Sequence, residues 1–314
     1  MRTALIASFL LLSALPAAAQ TWNPPSPGER CPSKWGAGDE RGGANHVTPA
    51  NVLRALKLVR TGQVIELNHL LSMDMPFFGT RRFDLHTKRT GGPMGSNKRY
   101  TNEEIVITEI GQVGTQFDMF SHQSIDNSHY NCFRTEEITT RNGFTRIGID
   151  KVGSLITRGV LIDVAALKGV EILPIDYEIT VEDLQAALKR EGISIQRGDA
   201  VLIHTGWGRH WGKDNATYVR GCPGLGVAAA EWLAKQDVML LGADNWPVEV
   251  APNPDKQLSL PVHQIALVVN GIFLLENMKL DELAASKAYE FAFVVQPLRI
   301  KGGTGSTVAP IAIR

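Results

Sequence analysis

One short stretch holds the largest group of side chains that could do chemistry together: Gly111-Gln112-Val113-Gly114-Thr115-Gln116-Phe117-Asp118-Met119-Phe120-Ser121-His122. It follows the alternating apolar residues Ile105, Ile107 and Ile110, which read as a strand. Polar groups leaving the end of a strand are where α/β folds place their sites. If the strand continues, Gln112, Gln116 and Asp118 share one face, because side chains two apart point the same way. One carboxylate and two amide oxygens together suit a hard divalent cation such as Mg, Ca or Mn. A polar strand end that hydrogen-bonds its own turn is the other reading, and the segment by itself leaves both open. The chain has eight histidines, none of them paired at the H-E-x-x-H spacing of a helical zinc site.

The elements that must position this segment follow from pattern. Thr48 as N-cap and Pro49 as first helical residue open a helix whose apolar face is Val52, Leu53, Leu56 and Leu58-Val59, with Gly62 ending it. The run from Val64 to Leu70 reads as a strand. Ser72 to Lys98 mixes Met, Pro, Gly and Arg without a sustained period and reads as a long loop with short strand pieces, which in compact domains is usually functional. Beyond the polar segment, Gly159 to Val164, Asp199 to His204 and Val238 to Leu241 are buried strands. Two helices alternate with them: one starts at Thr180 with Asp183 three residues on and the apolar stripe Leu184, Ala187 and Leu188, and the other spans Ala228 to Ala234. Late strands at Ile272 to Leu275 and Phe291 to Val295 complete a βαβαβ pattern, so one mixed α/β domain is expected.

Composition sets outer limits. The 314 residues carry 32 Lys plus Arg and 32 Asp plus Glu, so neither nucleic acid nor an anionic membrane is an expected partner. With 44% hydrophobic and 20% charged residues the chain is ordinary globular material. Arg2, the apolar run Ala4 to Leu15, Pro16 and Ala17-Ala18-Ala19 make a secretory signal peptide over residues 1–19, cleaved before Gln20. The expected product is an exported, periplasmic protein spanning 20–314. Its three cysteines, Cys31, Cys132 and Cys222, allow one bridge plus a buried thiol, or three buried thiols.

The polar segment resembles the metal-binding signature H-x-G-T-H-x-D-x-P-x-H of the cyclase family that includes kynurenine formamidase and isatin hydrolase. Gly114-Thr115, Asp118 and His122 keep its spacing, whereas Gln112 and Gln116 stand at the two leading histidines and Phe120 at the proline. Pro261-Val262-His263, Asn270-Gly271-Ile272 and Glu276-Asn277 resemble the family's second cluster. Thr205-Gly206-Trp207, Gly226 to Ala234, Gly242-Ala243-Asp244 and Gly302 to Ser306 resemble its framework, so that the likeness runs from about Trp35 to Ile313.

The resemblance implies a single compact mixed-sheet α/β domain of the cyclase (kynurenine formamidase) type, swivelling β/α/β-like and homo-oligomeric, most simply a dimer. It implies a metal-dependent hydrolase in which Zn or Mn activates a water against a carbon-nitrogen bond of a small amide, lactam or aryl formamide. By position Gln116, Asp118, His263 and Glu276 become the metal ligands, with His122 and Glu276 as acid-base residues. Amides in place of two imidazoles shift the expected preference from Zn toward Mn. The alternatives are a metal-free enzyme, an exported small-molecule binding protein on the same fold, and a lactone hydrolase or cyclase. Gln112, Phe77, Tyr130 and Trp207 are the expected substrate contacts, with Phe78 a further aromatic able to stack on a flat substrate; core packing is the competing use of such rings. Asp39, Glu40 and Asn45 are expected to bond within their own loop. Gly-rich Lys301 to Ser306 lacks the G-K-[ST] of a phosphate loop.

Overall fold

The computed structural model describes residues 22–314, and the leader expected over 1–19 lies outside them. A nine-stranded sheet runs in the order Val64–Glu66, Ile311–Ile313, Glu290–Val295, Leu155–Asp163, Ala200–His204, Leu240–Ala243, Phe273–Glu276, Gln116–Asp118, Gly305–Thr307. Its four middle strands, from Leu155–Asp163 to Phe273–Glu276, are parallel. Nearly every residue in them is buried, as parallel strands covered on both faces must be. Gln116–Asp118 closes the parallel block as an antiparallel neighbour of Phe273–Glu276.

Local chemistry explains the covering helices. Val181–Glu191 begins with a reciprocal cap, in which the Asp183 N–H donates to Thr180 Oγ1 and the Thr180 N–H donates to the Asp183 carboxylate. Leu184, Ala187 and Leu188 are buried as expected, and Gly192 ends the helix in the left-handed region. Val227–Lys235 buries Ala229, Ala230 and Leu233. Pro49–Leu56 begins at Thr48, whose Oγ1 accepts the Asn51 N–H, and packs on Leu155–Asp163. Its expected apolar stripe is corrected: Leu53 and Leu56 are exposed, and small Ala55 makes the close approach to the sheet.

Three further expectations change. The strand expected over Val64 to Leu70 is three residues long, Val64–Glu66. The supposed long loop from Ser72 to Lys98 holds a twelve-residue strand, Phe83–Met94, paired as a hairpin with Arg99–Thr108. Both faces of this hairpin meet solvent, so no inside-outside alternation marks its first strand in the sequence, while Ile105 and Ile107 mark the second. The strand through Ile105 does not continue into Gln116–Asp118 but stops at Thr108, and Gln112 lies in the intervening turn. Cys31 and Cys132 form a disulfide, while Cys222 stays a buried thiol whose pKa burial pushes up, which removes it as a nucleophile.

Candidate active site

Four separate segments meet at the end of the parallel block. The antiparallel register sets Gln116 opposite Glu276 and Asp118 opposite Leu274, so Gln116 and Asp118 project to one side. Phe117 projects to the other and packs on Phe273 at 4.8 Å. The turn before the strand needs Gly114: its φ is +68°, and a Cβ there would stand 2.3 Å from Leu71 Cδ2. Asn277 clamps that turn, donating from Nδ2 to the Gly114 carbonyl at 2.9 Å, while its own carbonyl accepts from Thr115 Oγ1 at 2.6 Å.

His263 enters on the short helix Pro261–His263. Buried Glu249 holds it from three directions, accepting the Val262 and His263 N–H groups at 3.0 Å each and pairing with His263 Nδ1 at 2.7 Å. Nε2 is thereby fixed toward Glu276 Oε1 at 3.1 Å and Asp118 Oδ2 at 3.8 Å. Burial alone would discharge this imidazole, but the hydrogen bonds and charges of Glu249 and Glu276 win and raise its pKa well above the ordinary histidine value. Glu276 is pushed up to about 7, first by burial and then by the Asp118 charge, with His263 opposing. His122 is held below its ordinary value by burial, against the pull of Asp118, and so is neutral at pH 7.

Asp118, His122 and His263 each present one ligand atom, and these atoms all lie within 4.8 Å of one another. Asp118 Oδ2 is buried without a hydrogen-bond partner, a costly state for a carboxylate oxygen unless positive charge meets it. A carboxylate and two imidazoles suit Zn, Mn and related ions. The residues present therefore fit a divalent metal.

The expected ligand set is distributed differently. Asp118 and His263 belong to the cluster, and His122, expected as a base, joins them as a ligand candidate. Gln116 and Glu276 border it and bond each other, with Gln116 Nε2 donating to Glu276 Oε2 at 2.7 Å. Gln112 Nε2 lies 3.3 Å from Asp118 Oδ1 and 3.2 Å from His122 Nδ1. Both amides thus turn N–H groups toward site acceptors, an orientation set by the carboxylates around them.

A cavity of about 190 Å³ opens above the cluster. Phe77, Phe78 and Gln112 line it, in line with expectation, together with Trp211, Trp246, Arg81, Leu260 and Asn277. Tyr130 and Trp207 do not. Tyr130 packs on Phe120 and donates to Asp39 Oδ2 at 2.8 Å, which ties its ring into the core. Trp207 is buried in a separate cluster and donates from Nε1 to the Tyr218 carbonyl. Asp39 also accepts from Asn45 and from the Gly42 N–H, the loop bonding expected of it. Sequence reasoning missed Glu249, Arg81, Trp211 and Trp246. The signal for two of them was their place: Trp246 and Glu249 follow the buried strand Leu240–Ala243, where α/β folds put polar groups.

A mixed α/β sheet with a buried carboxylate-imidazole cluster beneath a partly aromatic cavity defines a single-domain α/β protein with a candidate divalent-metal site. Residues 65–250 match the family described as "Putative cyclase", and the chain belongs to this cyclase family. A solved structure described as a novel cyclase is 31% identical, covers 90% of this chain and 98% of its own, and superposes with a TM-score of 0.83. Isatin hydrolase A from Ralstonia solanacearum is 25% identical over 85% of this chain and 98% of its own, with a TM-score of 0.59. A structure described as a predicted metal-dependent hydrolase from Bacillus stearothermophilus shares the fold at 18% identity, covering 80% of this chain and 97% of its own, with a TM-score of 0.53. No curated protein matches the chain.

Proposed function

We propose that this protein is a metal-dependent hydrolase that cleaves a carbon-nitrogen bond, in an amide, lactam or aryl formamide, of a small aromatic substrate. The observation that carries this reading is the Asp118–His122–His263 cluster with its unpartnered Asp118 oxygen, on the floor of an aromatic cavity. The isatin hydrolase likeness supports the reaction type. Asp118, His122 and His263 would hold a divalent ion, which would supply Lewis acidity and lower the pKa of a water toward about 7. The protein's own groups do the rest. Glu276, titrating near 7, takes a proton from the attacking water and returns it to the leaving nitrogen. His122 serves as a neutral ligand rather than a base, and Glu249 keeps His263 in one orientation. The aromatic walls hold a planar substrate and exclude water. With the carboxylate of Glu276 adding oxygen beside that of Asp118, Mn is proposed to support more activity than Zn.

The test is hydrolysis of a panel of anilides, aryl formamides, lactams and lactones by the mature, metal-loaded protein. Asp118→Asn should lose metal and activity together. Glu276→Gln should lower kcat about 10²- to 10⁴-fold in a folded protein, and His122→Ala should weaken metal binding and activity together. Full activity in Asp118→Asn, or no turnover of any panel member, would sink the proposal. One observation favours a second reading, a binding protein without turnover: the amide N–H groups of Gln112 and Gln116 already satisfy site acceptors. Tight ligand binding with no hydrolysis would select it.

The same proposal includes export, with cleavage before Gln20 read by N-terminal sequencing. It also includes a homo-oligomer, since two-fold assemblies are common and a lone two-stranded hairpin such as Phe83–Thr108, with Leu85, Ile105, Val106 and Ile107 exposed, is marginal without cover. Light scattering that finds only a single-chain mass would remove the oligomer.

A further inference from the structure

The cavity contains one strong charge that the proposed reaction does not use. Among the described residues lining it, Arg81 is the single Lys or Arg. Its Nη1 donates to the Gln112 carbonyl at 3.3 Å, which pins the guanidinium at the cavity wall. Arginine has five N–H donors in a planar fork, so this bond leaves most of the fork unused, and no ion pair takes it up among the described residues. Glu109, a carboxylate outside the cavity that feels its charge, is already engaged by the Arg82 N–H at 2.9 Å. Trp246 forms the adjoining wall, packed on Phe78 at 4.5 Å, and its buried indole N–H has no partner. Two donors without a full set of partners, one of them cationic, therefore belong to residues that line the cavity beside Phe77, Phe78 and Trp211.

We infer that Arg81, helped by the indole N–H of Trp246, forms a subsite for a carboxylate carried by the aromatic substrate. The cavity volume suits one aromatic ring with short substituents. A ring between Phe77, Phe78, Trp211 and Trp246 would have its scissile group toward His122 and His263 and its carboxylate at Arg81. A planar guanidinium is the side chain best matched to a carboxylate, which it grips through two parallel N–H bonds.

The inference rests on the hydrolase reading only for what happens to the ligand after it binds, so the test reads binding. Mature protein stripped of metal by chelation is titrated with benzoate and with benzamide, following tryptophan fluorescence and calorimetry. Benzoate should bind about 10- to 100-fold more tightly than benzamide, the range of a charge-assisted hydrogen-bonded pair. Arg81→Gln should erase that preference and leave benzamide binding unchanged, whereas Arg81→Lys should keep part of it. Trp246→Phe, which preserves the ring against Phe78, should weaken benzoate a few-fold. Equal binding of the two probes, binding of neither, or a preference that survives Arg81→Gln would overturn the subsite. If the preference holds and no amide is cleaved, the hydrolase reading fails and the subsite stands. If neutral anilides are cleaved as well as their carboxylated counterparts, with equal KM, the subsite fails and the hydrolase stands.

Discussion

Replacing Gln112 and Gln116 together by histidine tests how the metal site is built. Both amides border the Asp118–His122–His263 cluster, with Gln112 Nε2 3.3 Å from Asp118 Oδ1 and Gln116 Nε2 2.7 Å from Glu276 Oε2. An imidazole at either position offers a nitrogen donor where an amide N–H now points at a carboxylate. Four-ligand structural zinc sites are worth roughly 10–16 kcal/mol, or about 3 kcal/mol per ligand. One added imidazole on a three-ligand site should thus raise Zn affinity by about 10²-fold, at 1.4 kcal/mol for each tenfold. The double substitution should do at least as much and should move the activity preference from Mn toward Zn. Competition against a chromophoric chelator measures the affinity, with Asp118→Ala as the variant expected to bind no metal. The reasoning is refuted if the double variant, folded by circular dichroism and with an unchanged melting point, binds Zn no better than the parent chain.

Three other outcomes follow from the same geometry. Glu249→Gln removes the charge that fixes His263 Nδ1 at 2.7 Å and should weaken divalent metal binding about 10- to 100-fold while the fold persists, as the same chelator competition would show. The Cys31–Cys132 bond spans 101 residues, so the double serine variant should lose about 4–5 kcal/mol in the chain-entropy limit, read as a lower denaturation midpoint. His69 is pushed down to about 4, mainly by burial, so its stabilising neutral form is fully present above the unfolded pKa near 6.5 and is lost as pH falls toward 4. His69→Phe, which keeps a ring stacked on Trp211, should flatten that acid-side loss, worth up to about 3 kcal/mol, in melts at pH 4.5 and 7.5.

The parallel core was legible because its signal is local. Runs such as Val160-Leu161-Ile162 and Val201-Leu202-Ile203 are continuous apolar strands, and the Thr180–Asp183 cap marks a helix start without help from the rest of the chain. The first strand of the hairpin, Phe83–Met94, was not legible, since both its faces meet solvent and no alternation marks it, whereas Ile105 and Ile107 marked part of its partner Arg99–Thr108. The helix at Pro49–Leu56 misled in the opposite sense. Its leucines look like a core stripe, yet the close packing against the sheet is made by Ala55, whose small side chain is what permits the approach.

The site divides along the same line. Gln116 and Asp118 lie on one strand, so alternation alone puts them together, and the register with Glu276 then completes the contact. Gln112 reaches the same place for a different reason, from a turn that Gly114 and Asn277 fold back, which no strand periodicity could reveal. Glu249, Arg81 and Trp246 come from still other segments and are joined to the cluster only by tertiary packing. The division has a chemical consequence. The ligand-bearing residues sit on or beside the sheet, where register holds them rigidly, whereas the cavity walls at Phe77, Phe78 and Arg81 come from one irregular segment leading into the hairpin. Rigid placement suits groups that must hold a metal to within a fraction of an ångström. Loop placement suits groups that select a substrate, because that segment can change length and side chains without disturbing the sheet. Substitutions in 76–81 should accordingly alter which substrate is bound and leave metal affinity near that of the parent, whereas changes at 116–118 should do the reverse.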